Sequence, residues 1–524
     1  MRHHREMPAH SPSILFHNGR IDEPSTTTPS TALLIEGDSI GWVGSEDDAP
    51  RHVADRVVDL GGRLVTPAFV DSHVHATGTG QSILGLDLTA ARSKAEALHM
   101  VATYCESADT DSVLTGQGWD ETQWPENEPP TLAELDAACG DRQIYLTRID
   151  AHSGLVSSRL RDRVAGVHGA LGAPEEAGSA HLRLAAYTLV HQYAGEQLTS
   201  TQRTAAQRAT LDRCAQLGIG LIVEMAGPTI SGEADMEALL RLADSPDTID
   251  AAAYWGELGR TDIVTELGLA GAGGDLFCDG AIGSHTAALS TPYADDAGTG
   301  HLWLSKEQVA SHVRACTLAG IQAGFHAIGD VAVGAVIDGI SEVANELGEA
   351  AVRGLSHRIE HCEMVTGAQI TTMSRLGLVA SMQPMFDRAW GGDDSMYRQR
   401  LGERSALLNP IATLRAAGVP LAFGSDAPVT PLDPWASVQA AVFHRTHDQR
   451  ISARAAFSAM TRGGWRALRR DGGAGTLRTG APAYVAVWDT EGIVLPTAEG
   501  FAAPTCAATI AGGRVVHNTG LIPN

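Results

Sequence analysis

The chain has 524 residues, is 44% hydrophobic and carries a formal net charge of −24. This length holds one large α/β barrel with a smaller companion domain. Such an acidic balance disfavours nucleic acid and an anionic membrane as partners, because phosphates are repelled. No run has the length of a membrane span.

The N-terminal stretch "MRHHREMPAHSPSILF" is basic but lacks a following apolar segment, so no signal peptide is read, and Met7 competes with Met1 as the start. Seven cysteines are scattered without Cys-x-x-Cys spacing, the pattern of reduced thiols in a cytoplasmic protein. Residues 13–63 alternate short β-like runs with turns, and so do the last fifty. These ends, 12–63 and 473–524, are expected to pair into one small β-sandwich.

Between them, over 64–472, short apolar runs alternate with helical stretches, the rhythm of a parallel sheet. The runs are 64–70, 219–225, 249–254, 275–278, 321–325, 355–359, 378–383 and 419–423. Eight is the number that closes a (β/α)8 TIM barrel. One helix is well marked: Ser305 and Gln308 form a capping box, Val309, Val313 and Cys316 an apolar stripe, and Gly320 a stop. Residues 80–215 are too long for one crossover and read as an insertion after the first strand, with "WPENEPP" as an exposed loop.

Chemistry-bearing residues gather at one end of these strands. His73 and His75 stand in "DSHVHA" after the first; about one His-x-His pair is expected by chance in a chain this rich in histidine, so the pair alone says little. His326 ends the fifth strand, His361 follows the sixth and Asp426 the eighth. Strand C-termini face one mouth of such a barrel. Imidazole and carboxylate ligands converging there suit zinc or a similar divalent ion. "GAGGD" (271–275) lacks the spacing and lysine of a phosphate loop.

These motifs resemble the amidohydrolase superfamily, in its N-substituted formamide deformylase-like branch. The matching stretches are "LVTPAFVDSHVHA", "GQGWDETQWPENEPPTLAELD", "RIDAHSGLVSS", "DGAIGSHTAALSTPY", "FHAIGDVAV", "HRIEHCE" and "FGSDAPVTPLDPW". The resemblance implies a metal-bearing barrel with a β-sandwich from both termini, and His73, His75, His326, His361 and Asp426 as metal ligands. Many relatives carry a carboxylated lysine bridging two metals where Asp275 stands here. The shorter aspartate is not expected to reach the same point without backbone movement. Two readings follow: one ion near His73, His75, His326 and Asp426 with His361 on the bound water, or two ions bridged by Glu224. A further departure is His285, often arginine in relatives.

The implied reaction is hydrolysis of a C–N bond in a small-molecule amide, N-substituted formamide or cyclic amide. The ion acidifies bound water, Asp426 is the general base, and the metal with His361 polarises the carbon. His152 is expected to contact substrate, as are Trp119 and His285, with Trp119 and Trp124 alternatively forming the insertion's core. Arg148 and Asp150 are expected to pair locally, and Asp279 and Asp330 to hold loops. The alternatives are a mononuclear deaminase and an inactive barrel with a binding or regulatory role. A homo-oligomer is compatible with the sequence.

Overall fold

A computed structural model describes residues 12–22, 30–107, 113–174, 178–490, 496 and 500–523. The N-terminal stretch considered as a leader therefore lies largely outside the described residues.

Eight parallel strands form the central sheet: β1 Phe69–Val74, β2 Ile219–Ala226, β3 Asp250–Trp255, β4 Gly271–Ala272, β5 Gln322–Ala327, β6 Arg358–His361, β7 Val379–Met382 and β8 Leu421–Phe423. Their order follows the sequence. Every residue of β2 and β5 is buried, as expected for strands wrapped by helices. Beyond the ladder, a parallel bridge between Val74 and Ala427 brings β1 to the segment after β8. These strands and their flanking helices make the fold a (β/α)8 barrel.

Two expected strands change. "LVTPAFV" is not one strand: Leu64–Pro67 pairs with Val485–Trp488 in a terminal sheet, and only from Phe69 does the chain enter the barrel. The run fills two sheets because both faces of each half are buried, which a single apolar stretch does not reveal. His73 consequently lies inside β1, with His75 just beyond it. The fourth strand is Gly271–Ala272, not 275–278. Gly273 and Gly274 have φ of 112° and 75° and turn the chain out of the ladder. A Cβ on Gly273 would lie 1.9 Å from the Gly324 carbonyl oxygen, so β4 and β5 approach closely only because no side chain is there.

The terminal strands form two sheets, one of Ile14–His17, Ala32–Glu36, Ser39–Gly44 and Arg56–Asp59, the other including Leu64–Pro67, Val485–Trp488, Cys506–Ala511 and Arg514–Asn518. Their shared core joins Phe16, Leu33 and Ile35 to Val485, Val487 and Ile510. Both chain ends thus build one β-domain. Phe69 packs edge-on against Trp435 and Trp488, locking that domain to the barrel.

After β1, helix α1 (Ala76–Leu84) leads into a five-stranded inserted sheet running from Leu86 to Arg183. Helix α2 (Leu184–Glu196) follows, and α3 (Ser200–Gln216) returns to β2. The expected insertion, 80–215, thus includes parts of two helices that pack against each other, because a Cβ on Gly80 would meet the Ala206 carbonyl. The "WPENEPP" stretch is exposed from Pro125 to Glu128. Helix α4 (Lys306–Ala319) begins at the expected capping box and ends at left-handed Gly320, its buried stripe including Val309, Val313 and Cys316. Such a cap is worth about 1 kcal/mol.

Candidate metal centre at the barrel mouth

Alternation along β1, the glycine turn after β4, the last residues of β5 and β6 and the segment after β8 bring six side chains together. His73 Nε2 lies 3.4 Å from Asp275 Oδ2 and 3.3 Å from Asp426 Oδ1. His75 Nε2 lies 3.1 and 3.2 Å from the same two oxygens. Ligand atoms around a tetrahedral ion with bonds of about 2.0–2.1 Å stand about 3.3–3.4 Å apart. The second oxygen of Asp275, Oδ1, faces the other way, 3.3 Å from His326 Nδ1 and 3.6 Å from His361 Nε2. Asp275 therefore sits between two histidine pairs.

Each histidine is aimed by a bond to its remote nitrogen. His73 Nδ1 donates to Glu360 at 3.0 Å, His75 Nδ1 to the Met225 carbonyl at 3.2 Å, and His361 Nδ1 to Gln383 Oε1 at 2.8 Å. His326 is turned over: its Nε2 donates to the Gly280 carbonyl at 3.2 Å, leaving Nδ1 toward Asp275. All four rings thus present a lone pair to the centre, the arrangement that outer hydrogen bonds give metal-binding imidazoles. His73 Nε2, His361 Nε2 and Asp426 Oδ1 are buried with no hydrogen-bond partner. Orphaned groups of this kind are costly unless a cation satisfies them. The donor set fits divalent metal ions, and two groups have the spacing to hold one: His73, His75 and Asp426, and His73, Asp275 and His361.

Burial raises the carboxyl of Asp275, but the charge of His73 and the neighbouring rings of His326 and His361 hold it well below the ordinary range. Burial likewise opposes protonation of His75, yet Asp275 and Asp426 raise it to about 10. The same acids raise His73 and His361 as well, against the effect of burial. His361 and Asp426 have φ of 66° and 54°, left-handed conformations that cost about 1–3 kcal/mol each and collect at functional sites.

The other expected site residues divide. His152 lines the cavity above the centre, its ring 5.1 Å from that of His326. Burial, with the nearby charge of His326, lowers it to about 4 and keeps the imidazole neutral. Glu224 also lines the cavity, but it belongs to neither ligand group. One of its oxygens accepts from the Ala76 amide at 2.7 Å, and the other is a buried orphan. Asp275 occupies the place between the histidine pairs, directly after the glycine turn at 273–274 that takes the chain out of the ladder. Trp119 does not reach the cavity: it is wholly buried in the insertion's core beside Trp124, its Nε1 donating to the Leu146 carbonyl. His285 turns away to Asp295, 3.0 Å from its Nε2. Arg148 pairs with Asp150 at 2.7 Å. Asp279 accepts from the amides of Ala288, Ile328 and Gly329, and Asp330 from Ser290, so both hold loops.

Three supporting residues escaped the sequence reading. Glu360 is fixed by Arg358, which also reaches the Ser72 carbonyl and Ser381. Burial would raise Glu360; Arg358, with the hydrogen bond from His73, brings it down to about 2. Arg358 and Glu360 stand two apart on β6 and so share one face, which is the signal that marks them. Gln383, beyond β7, carries no such signal.

A barrel mouth bearing histidines and aspartates in this geometry is that of a metal-dependent hydrolase. The amidohydrolase family model matches residues 56–517, and the chain belongs to that family. Protein LONG AFTER FAR-RED 3 of Arabidopsis thaliana is 26% identical over 82% of this chain and 77% of its own length. The N-substituted formamide deformylase of Arthrobacter pascens is 23% identical over 89% of this chain and 91% of its own. The crystal structure of an uncharacterized metal-dependent hydrolase from Pyrococcus furiosus superposes with a TM-score of 0.71 at 26% identity, covering 91% of this chain and 99% of that one. No helix among the described residues is long and apolar enough to cross a membrane.

Proposed function

We propose that the protein hydrolyses a carbon–nitrogen bond in an amide, an N-substituted formamide or a cyclic amide. The observation that carries this is the convergence of His73, His75, His326, His361, Asp275 and Asp426 on one point, with orphaned donor atoms facing it. His73, His75 and Asp426 would hold one ion, His326 and His361 a second, and Asp275 would bridge them; zinc suits this donor set. When bound, the metal supplies Lewis-acid chemistry, acidifying water and polarising the substrate carbonyl.

The chain's own residues do the rest. Against the effect of burial, the neighbouring His73 and His75 hold the Asp426 carboxyl below its ordinary range; as a carboxylate it can accept a proton from the attacking water and pass it to the leaving nitrogen. Neutral His152 can donate an N–H to the oxygen on which charge develops. Residues of the inserted sheet and of α2, among them Thr115, Tyr145, Leu184 and Tyr187, line the cavity above the centre. All seven cysteines are buried and free, which supports a reducing, cytoplasmic setting.

The test is a hydrolysis screen over formamides, acyl-amino acids and cyclic amides, run before and after chelation. Metal-dependent release of an amine together with a carboxylate supports the reading; ammonia release without a new carboxylate would favour a deaminase instead.

A further inference from the structure

We infer that the substrate is uncharged away from its reacting group, and that it carries an apolar arm extending from the metal centre along α2 to an opening beside Leu171. This rests on the metal-hydrolase reading and adds the substrate class.

A cavity of about 580 Å3 runs from His75 and Asp275 to Leu171, Leu184, Leu189 and Leu198. That volume suits a small molecule of substantial size. Leu171 is 57% exposed, which places the opening there.

Many wall residues are polar by name but not in what they present. Tyr145 Oη donates to His191 Nδ1 at 3.0 Å, and His191 Nε2 donates to the Ile230 carbonyl at 2.9 Å. Tyr187 Oη donates to the Ala151 carbonyl at 2.7 Å, and Thr188 Oγ1 to that of Leu184 at 3.2 Å. Their donor hydrogens are spent within the wall, so none of these hydroxyls has a hydrogen to offer a ligand.

The charges are spent as well. Arg203 is paired with Asp235 at 2.8 Å, and Asp150 with Arg148 at 2.7 Å. Glu224 gives one oxygen to Ala76, and its other is closed off from solvent. Away from the metal ligands, the described wall thus offers no free cation for a carboxylate and no accessible acid for an ammonium. An ionic group placed there would lose its hydration without a partner. Gln81 and Gln117, also on the wall, are neutral.

Leu184 adds an independent sign. Its φ of 49° is left-handed, uncommon for a bulky residue, and such strain is retained where a side chain must line a ligand site. It lies at the first turn of α2, where the apolar wall begins.

Alkyl hydroxamates test this without turnover, since the hydroxamate group seeks the metal and the alkyl chain probes the wall. With the metal-loaded full chain, affinity is measured for aceto-, hexano-, octano- and decanohydroxamate. Chains of matching length ending in carboxylate or ammonium are measured alongside. Affinity is expected to rise about threefold to fourfold per methylene, and a charged end to cancel the gain. Leu184→Lys should weaken the decano ligand at least about tenfold and restore binding of the carboxylate-ended one. Affinity independent of chain length, tighter binding of a charged-end ligand, or no hydroxamate binding at all overturns the inference. A chain-length ladder in a protein that hydrolyses no amide would leave this inference standing while defeating the proposed reaction.

Discussion

His73 and Asp426 meet twice. The Asp426 amide donates to the His73 carbonyl at 2.8 Å, and the side chains face each other with Nε2 and Oδ1 3.3 Å apart. The first bond links β1 to the segment after β8, and the second is one edge of the ligand set. One residue pair therefore joins both the barrel seam and the site. A substitution at Asp426 that keeps the backbone should spare the fold and damage the chemistry.

Asp426→Asn is accordingly expected to fold and to bind much of the metal, but to lose about 100-fold to 10,000-fold in kcat, the range for removing a general acid–base group. Circular dichroism, metal content and steady-state rates check this together. Turnover near that of the parent would remove Asp426 from the proton path.

Glu360→Gln should act through His73. The carboxylate accepts the Nδ1 hydrogen and so fixes which nitrogen faces the centre, and losing such an outer partner costs about 10- to 100-fold in metal affinity or activity. Competition with a chelating dye measures the affinity. An unchanged value would mean that packing alone orients the ring.

Much of this was legible in advance because its signals are local. Each of the eight apolar runs, the capping box at Ser305 and the histidine- and aspartate-bearing strand ends are contained within a few residues. The bridging role now proposed for Asp275 was not legible, since it depends on Gly273 and Gly274 leaving the ladder, and an apolar run such as "DLFC" resembles a strand more than a turn. Trp119 was ambiguous for a similar reason: a buried aromatic and a pocket wall read alike until the neighbouring chain is in place. Glu360 and Arg358 were missed because their meaning lies in His73, distant in sequence.

Acid should weaken the fold through His357. This buried ring accepts the Ala323 amide at Nδ1, 2.9 Å away. Burial foremost, with His312 and Arg469 adding, lowers it to about 3. Between its ordinary value near 6.5 and about 3, the unfolded chain binds the proton more readily. The stability it contributes is thus complete above about pH 6.5 and falls by about 1.4 kcal/mol per pH unit below it. Relative to His357→Gln, the parent should lose about 2 kcal/mol between pH 7 and pH 5, measured by urea unfolding. A stability difference independent of pH would show that the ring is not held neutral.

Asp275 is proposed to join two metal sites, and metal stoichiometry decides whether it does. Chelated protein is titrated with zinc, and bound metal and amide hydrolysis are followed against equivalents added. Binding that saturates at two equivalents per chain, with full activity reached only there, is expected. Saturation and full activity at one equivalent would contradict the bridging aspartate, and activity indifferent to chelation would contradict the metal site itself.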